Sequence, residues 1–271
     1  MNHFPITLAE AQQYADATYV GGATDLMPLF KNHARDDKEL VFLTRIPELQ
    51  GIALEGDMLR IGAAVTLTEL AESELLRNHF PAAAQAASVV ASPQIRNIAT
   101  LGGNIMQDRR CIYFNQSEGW RSAIPLCFKT GGEVCHQIPN SPVCRAIYYS
   151  DIATALLLYE CEVVYLEEGH TVREPLGALI HRHSEANGLS CRQHLPVIVT
   201  HFFLPIPDGS VRSAFHKYAM RTTIDFPLIN FALRCGGTHK AKLIAGAVAP
   251  EPVELPQTAA LLETSAGDDD V

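Results

Sequence analysis

Apolar positions recur with two different spacings along this chain, and the changes of spacing mark its organisation. Thr7-Leu8-Ala9-Glu10 has the capping-box pattern and predicts a helix of about ten residues. Thr18-Tyr19-Val20 predicts a short strand that runs into Gly21-Gly22-Ala23-Thr24-Asp25 and then an apolar helix start over Leu26 to Phe30. Leu40 to Leu43 and Gly51 to Leu54 read as strands, and Gly56-Asp57 turns the chain back into Met58 to Ile61 as a hairpin. Thr66-Leu67-Thr68-Glu69 is a second capping box, predicting a helix to Asn78, and Pro81 opens an Ala-rich helix that closes near Ser92-Pro93.

Past residue 150 the pattern predicts a helix over Asp151 to Tyr159 and a strand over Glu162 to Leu166. The β-rich run Val197 to Leu204, within His194 to Pro205, is followed by strands at Ser213 to Tyr218, Leu228 to Arg234 and Lys242 to Val248. These are expected to form one antiparallel C-terminal region. Gly267 to Asp270 reads as a solvated tail.

Between these two regions the rhythm breaks. Residues 107–149 hold four cysteines, three prolines and the single tryptophan, with little periodicity. A loop of this length inside a compact domain is usually functional or disordered, and the cysteines favour function.

Composition narrows the function classes. The 271 residues are 47% hydrophobic and 19% charged, enough for a core and far from a disordered composition. The formal net charge of -9 argues against phosphate-backbone binding, so no nucleic-acid partner is expected. No apolar run approaches the roughly 18 residues of a membrane span. Met1 to Ala17 lacks the basic and apolar regions of a secretory signal, so a cytoplasmic location is expected and the seven cysteines read as thiols, metal ligands or redox groups.

Gly21-Gly22-Ala23-Thr24-Asp25 and Thr100-Leu101-Gly102-Gly103-Asn104 are two glycine turns of one kind. Glycines allow tight turning and close approach of amides to a ligand, and successive N–H groups form an anion nest suited to a pyrophosphate. Each turn alone is also an ordinary tight loop. Asp25 would repel a phosphate, so it is expected to cap the following helix or to accept from a ribose hydroxyl. Neither turn is a P-loop or a G-x-G-x-x-G fingerprint.

Cys111, Cys127, Cys135 and Cys144 follow C-x15-C-x7-C-x8-C. Four thiolates suit a [4Fe–4S] cluster or a tetrahedral zinc, and zinc sites usually carry close C-x2-4-C pairs that are missing here. The spacing favours a cluster and leaves zinc and free buried thiols open. Cys161 reads as core, and neither Cys191 nor Cys235 receives a role. His136 reads as a loop histidine and His181-Arg182-His183 as a solvated loop.

In order and approximate spacing, Gly21 to Leu26, Thr100 to Asn104, Ser150-Asp151 and Lys217-x3-Arg221-x3-Asp225 resemble the FAD-binding medium subunit of the xanthine dehydrogenase (molybdenum hydroxylase) family over nearly the whole chain. The insert narrows the resemblance. Gln107 to Cys111, Trp120-Arg121, Gly132 to Cys135 and Ser141 to Cys144 resemble the 4-hydroxybenzoyl-CoA reductase β-subunit, whose insert holds a [4Fe–4S] cluster.

The resemblance implies an α+β fold with two α/β FAD-binding subdomains of the vanillyl-alcohol-oxidase (PCMH) type, a cysteine-rich cluster insert and a C-terminal antiparallel β subdomain shortened relative to the family. The corresponding segments are 1–55, 56–195 with the insert at 107–149, and 196–271. FAD would lie extended between the subdomains. Val20, Gly21, Gly22, Ala23, Thr24, Asp25 and Leu26 would line the adenine-side and pyrophosphate loop, and Val90, Thr100, Gly102, Gly103 and Asn104 the second loop. Asp151 would bind a polar group of the FAD, and Lys217 would reach the flavin. Read without the family, Asp151 is a helix N-cap and Lys217 a surface lysine. The four insert cysteines would hold the cluster.

The implied function is electron relay between an external carrier, plausibly a ferredoxin, and two partners: a large molybdopterin-binding subunit and a small [2Fe–2S] subunit. The assembly would be a hetero-oligomer, with a dimer of heterotrimers as one form. The closest resemblance suggests reduction of an aromatic acyl-CoA in a partner chain. The alternatives are the same relay in an aldehyde or N-heterocycle dehydrogenase, a stand-alone FAD oxidoreductase, and a zinc-stapled, non-enzymatic interaction module.

Overall fold

A computed structural model describes residues 1–189, 195–221, 224–237 and 240–265. The described residues form three sheets. The first is parallel, with strands β1 (Asn2–His3), β2 (Thr18–Val20) and β3 (Leu40–Phe42) in the order β1-β3-β2. The second is antiparallel and holds β4 (Ile52–Glu55), β5 (Met58–Gly62), β6 (Glu162–Glu167), β7 (His170–Pro175) and β8 (Val197–Pro205) in the order β4-β5-β8-β6-β7. The third contains β9 (Arg212–Tyr218), β10 (Ile229–Cys235), β11 (Lys242–Gly246) and β12 (Val253–Glu254) in the order β12-β11-β10-β9.

Two of the expected boundaries move. The run Val197 to Leu204 does not join the C-terminal strands. As β8 it sits between β5 and β6, because its inward positions Phe202 and Leu204 fill the same core as Leu59, Ile61, Val163 and Tyr165. The chain therefore enters the third sheet only at β9. At the other end, β4 and β5 are the two arms of one hairpin, so a division at 55/56 cuts through it.

The helices follow their caps more closely than their predicted lengths. Thr7 accepts from the Glu10 amide at 3.2 Å, yet the helix is the single turn Leu8–Ala11. Thr66 and Glu69 form the full reciprocal box. The helix they open ends at Glu72, because Ser73 caps a second helix, Glu74–His79, by accepting from the Leu76 amide at 3.4 Å. The Ala-rich helix is Pro81–Ser88, shorter than expected. Its alanines are buried, and small side chains let a backbone approach closely. β9 is tied to this helix: the Phe215 amide donates to Gln85 Oε1 at 2.8 Å. That docking carries Lys217, two residues on, toward Val89 and Asp151.

Among the described residues, the two longest helices have no counterpart in the sequence pattern. Leu176–Leu189 crosses the segment expected as solvated loop around His181 and His183, and Pro256–Ser265 follows β12. The insert is irregular, with short helical turns at Glu118–Arg121 and Phe128–Thr130. Its base is closed by an antiparallel bridge in which Arg110 and Ile147 exchange both backbone hydrogen bonds, at 2.7 and 2.8 Å. Cys191 and the tail from Gly267 to Asp270 lie outside the described residues. No helix among the described residues is long and apolar enough to cross a membrane.

Candidate functional site: two lobes and a cysteine cavity

The two glycine turns face each other. A β-carbon on Gly21 would fall 2.3 Å from Thr100 Oγ1, and one on Gly22 would fall 1.9 Å from the Ile98 carbonyl oxygen. Only glycine permits this approach. Ala23 follows in the left-handed region, at φ +58°. Among the described residues, the amides of Gly22, Ala23 and Thr24 donate no hydrogen bond, so the turn presents them to the cleft. The second turn becomes the first turn of the helix Leu101–Ile105. Thr100 caps it by accepting from the Gly103 amide at 3.2 Å, and Asn104 Oδ1 accepts from Ser150 at 2.6 Å.

A cleft with two lobes surrounds these turns. The first lobe, of about 1020 Å³, is walled by Val20 to Leu26, Leu43, Ala63, Thr100, Gly102 and Val197. The second, of about 1080 Å³, is walled by Val90, Asn104, Arg110, Tyr149, Asp151, Lys217 and Phe226. Thr24, Asp25, Gly103 and Gln107 belong to both, so the lobes join at the paired turns. The joined lobes form one elongated cleft, which suits an extended ligand with an anionic middle. All fourteen residues expected to touch FAD border one lobe or both.

For Asp25, Asp151 and Lys217 the structure replaces the cap and surface readings made from the residues alone. Asp25 stands at the start of the helix Leu26–Lys31 without capping it. Its carboxylate instead accepts from the Asp108 amide at 3.2 Å and pairs with Arg110. Burial pushes the Asp25 carboxyl up, and the Arg110 guanidinium opposes that rise. Asp151 is not the cap of its helix. Ser150 is, accepting from the Ala153 amide at 3.0 Å. Lys217 is no surface lysine. Its Nζ lies 3.0 Å from Asp151 Oδ2, with side chains only 11% and 3% exposed. Asn230 Nδ2 donates to the other oxygen at 2.6 Å, and Lys217 also donates to the Val89 carbonyl at 3.1 Å. Burial raises the Asp151 carboxyl, while Lys217 holds it down.

The structure adds residues that sequence reading missed. Asp108 joins Arg35, at 3.5 Å, to Asn187, whose Nδ2 donates at 2.5 Å. His183, 2% exposed on the helix Leu176–Leu189, lies 3.1 Å from the Gln107 carbonyl and borders the first lobe. Arg110 stacks over the Phe226 ring at 4.6 Å. The available signal is the charged run Asp108-Arg109-Arg110, four residues past Asn104 of the second glycine turn, which the loss of periodicity assigns to the insert.

Cys111, Cys127, Cys135 and Cys144 line one small cavity together with Phe114, Lys129 and His136. Burial pushes the Cys111 thiol up, with Cys144 and Cys127 adding to the rise. All four thiols are free and half-buried. Among the described residues, no three His, Cys, Asp or Glu side chains are grouped to hold a metal ion. A structural zinc and a [4Fe–4S] cluster on these cysteines would both need their thiolates drawn together around the metal. Cys161 is buried core, as expected, and Cys235 is exposed.

The cavity is close to the cleft. Leu29 of the first lobe packs on Phe114 of the cavity wall. Asp108 and Cys111 are three residues apart, hence within about 11 Å along the chain.

Comparison with known proteins identifies the class. Residues 4–207 match the family described as the FAD binding domain in molybdopterin dehydrogenase. The chain is 31% identical over 260 residues to the xanthine dehydrogenase FAD-binding subunit of Escherichia coli O157:H7, covering 93% of this chain and 75% of that one. It is 28% identical over 254 residues to an aldehyde oxidoreductase FAD-binding subunit of Escherichia coli K12, covering 89% and 78%. Among solved structures, the Cu,Mo-CO dehydrogenase in its cyanide-inactivated form superposes with a TM-score of 0.72 at 19% identity, covering 96% of this chain and 79% of that one. Quinoline 2-oxidoreductase from Pseudomonas putida 86 gives 0.67 at 18%, covering 93% and 75%.

The chain belongs to the FAD-binding subunits of the molybdenum hydroxylase family, an oxidoreductase family of mixed α/β fold.

Proposed function

We propose that this chain is the electron-relay subunit of a molybdenum hydroxylase-type complex, holding FAD in the two-lobed cleft and a [4Fe–4S] cluster on Cys111, Cys127, Cys135 and Cys144. The observation that carries this reading is adjacency: the glycine-turn cleft and the four-cysteine cavity share a wall through Leu29 and Phe114.

The residue types suit both groups, and the four thiols would draw together to hold the cluster. The Gly22, Ala23 and Thr24 amides suit a pyrophosphate, with the adenine side in the first lobe. Lys217 suits an electron-rich carbonyl of a flavin in the second, and Asp151 fixes its direction. The four cysteines wrap a cavity from separate loops. That suits a cluster with one thiolate on each iron better than a single ion. When bound, FAD supplies one- and two-electron exchange and the cluster one-electron exchange.

By this reading the substrate chemistry resides in partner chains: a molybdopterin-binding subunit and a [2Fe–2S] subunit, with a ferredoxin-type carrier meeting the insert. The insert motifs favour reduction of an aromatic acyl-CoA such as 4-hydroxybenzoyl-CoA. A second reading, relay in an oxidising complex, is favoured by the names of the relatives, which act as xanthine dehydrogenase and aldehyde oxidoreductase subunits.

An anaerobic visible spectrum with flavin, iron and zinc measured on one sample tests the proposal. Stoichiometric flavin with about four irons per chain is expected. Flavin without iron removes the cluster, and zinc without flavin removes the whole reading.

A further inference from the structure

Three residues of the third sheet form one row. Lys217 on β9 stands opposite Asn230 on β10, and Asn230 stands opposite Gly246 on β11. Residues paired directly across antiparallel strands present their side chains to the same face. The helix Asp151–Leu156 packs against this sheet, and each member of the row meets it differently. Lys217 Nζ donates to Asp151 Oδ2 at 3.0 Å, and Asn230 Nδ2 donates to Asp151 Oδ1 at 2.6 Å. Gly246 supplies room: a β-carbon there would fall 2.1 Å from Thr154 Oγ1 and 2.2 Å from Asn230 Oδ1.

Asn230 is fully buried, and its Oδ1 has no hydrogen-bond partner among the described residues. A buried amide oxygen without a donor is costly, so packing alone would be served better by an apolar side chain. What the asparagine contributes is its other end, the donor to Asp151. A reversed amide would set Oδ1 against the carboxylate, which fixes its orientation. With Asp151 Oδ1 engaged by Asn230, Oδ2 is the oxygen turned to Lys217. Burial raises the Asp151 carboxyl, and Lys217 and Asn230 both oppose that rise.

An ammonium carries three N–H donors. Lys217 gives one to Asp151 and one to the Val89 carbonyl, and the remaining one has no acceptor among the described residues. Lys217 and Asp151 border the second lobe, and Asn230 lies behind them.

We propose that Asn230 is a positioning residue for the FAD site: by fixing the Asp151 carboxylate it aims the remaining N–H of Lys217 into the second lobe, and Gly246 keeps the room that Asn230 needs. This rests on the reading that puts the flavin in that lobe. The group served there is an electron-rich oxygen of the ligand. Asn230 acts on it only through Asp151 and Lys217.

The test is FAD binding by the full-length chain, stripped of flavin and titrated by flavin fluorescence. Wild type, Asn230→Leu, Lys217→Met and the double variant are compared, with circular dichroism on each. Leucine keeps the branched shape of asparagine and removes both polar ends. Asn230→Leu is expected to weaken FAD binding about tenfold, the order of one hydrogen bond to a charged group. In the Lys217→Met background the same change is expected to weaken it less than about twofold, because the route to the ligand is already cut. A purely structural role would weaken binding equally in both backgrounds. That result overturns the inference, as does native affinity in Asn230→Leu. Should Asn230→Leu fail to fold, Gly246→Ala decides, because its methyl meets two side-chain oxygens that can shift. Weaker FAD binding with Lys217 present and none with Lys217→Met supports the inference, and native affinity overturns it. Native affinity in Lys217→Met is a distinct failure. It takes the flavin away from the lysine, and the inference falls with that reading.

Discussion

Gly22 and Ile98 meet backbone to backbone: a β-carbon on Gly22 would lie 1.9 Å from the Ile98 carbonyl oxygen. Gly21 meets a side chain instead, with Thr100 Oγ1 2.3 Å from its own virtual β-carbon. A hydroxyl can rotate away, whereas a carbonyl within the backbone cannot. Overpacking of this kind costs about 1–3 kcal/mol. Gly22→Ala is therefore expected to abolish flavin retention during purification. Gly21→Ala should reduce it less, and its partner change Thr100→Ser should not restore it, because the hydroxyl stays. Flavin absorbance per chain is the measurement.

The Lys217–Asp151 pair is buried, and removing one partner of a buried pair typically costs about 3–5 kcal/mol. Lys217→Met leaves Asp151 with Asn230 as its donor, whereas Asp151→Asn removes the carboxylate that pairs with Lys217 and leaves the ammonium neutral acceptors such as the Val89 carbonyl. Asp151→Asn is expected to be the more destabilising in urea unfolding. The double variant should lose less stability than the sum of the two single losses. Additive losses would show that the two side chains do not act as a pair.

His201 on β8 carries a pH signature. Burial, reinforced by Arg60, holds its imidazole below the ordinary 6.5. The unfolded chain therefore takes up the proton first. The contribution of His201 to stability is present above about pH 6.5 and is lost as the pH falls toward the lowered folded value. His201→Gln should flatten the fall in thermal midpoint between about pH 6.5 and 5. An unchanged slope would assign that fall to other groups.

The bridge between Arg110 and Ile147 closes the base of the insert. Replacing residues 111–146 with a Gly-Gly link should therefore remove all iron while leaving flavin bound. Affinity should weaken by less than about tenfold, or ~1.4 kcal/mol. On the cleft side, this variant lacks the packing of Phe114 on Leu29 and the hydrogen bond from Lys129 to Asn187. Loss of flavin in this variant would make the insert part of the FAD site.

The sequence is most legible where local chemistry acts alone. The glycine turns, the Thr66–Glu69 box and the Gly56-Asp57 hairpin are short-range signals, and each stands where the pattern places it. Partner choice among strands is not legible. Val197 to Leu204 is a continuous β-rich run with no local mark of its partners, and only the structure shows it between β5 and β6, with Phe202 and Leu204 in their core. The helix Leu176–Leu189 is hidden because buried polar residues interrupt its apolar face. His183 and Asn187, four apart, point together at Gln107 and Asp108. The pairing of Lys217 with Asp151 joins positions 66 residues apart and has no local signal.

The central claim is that one chain passes electrons between two adjacent redox centres, and photoreduction of the flavin in the isolated, reconstituted chain tests it most directly. Freeze-quenched samples taken over a range of protein concentrations should show the EPR signal of the reduced cluster rising as the flavin signal decays. Its rate should be independent of concentration. A rate proportional to protein concentration, or a signal that needs an added carrier, would contradict the relay.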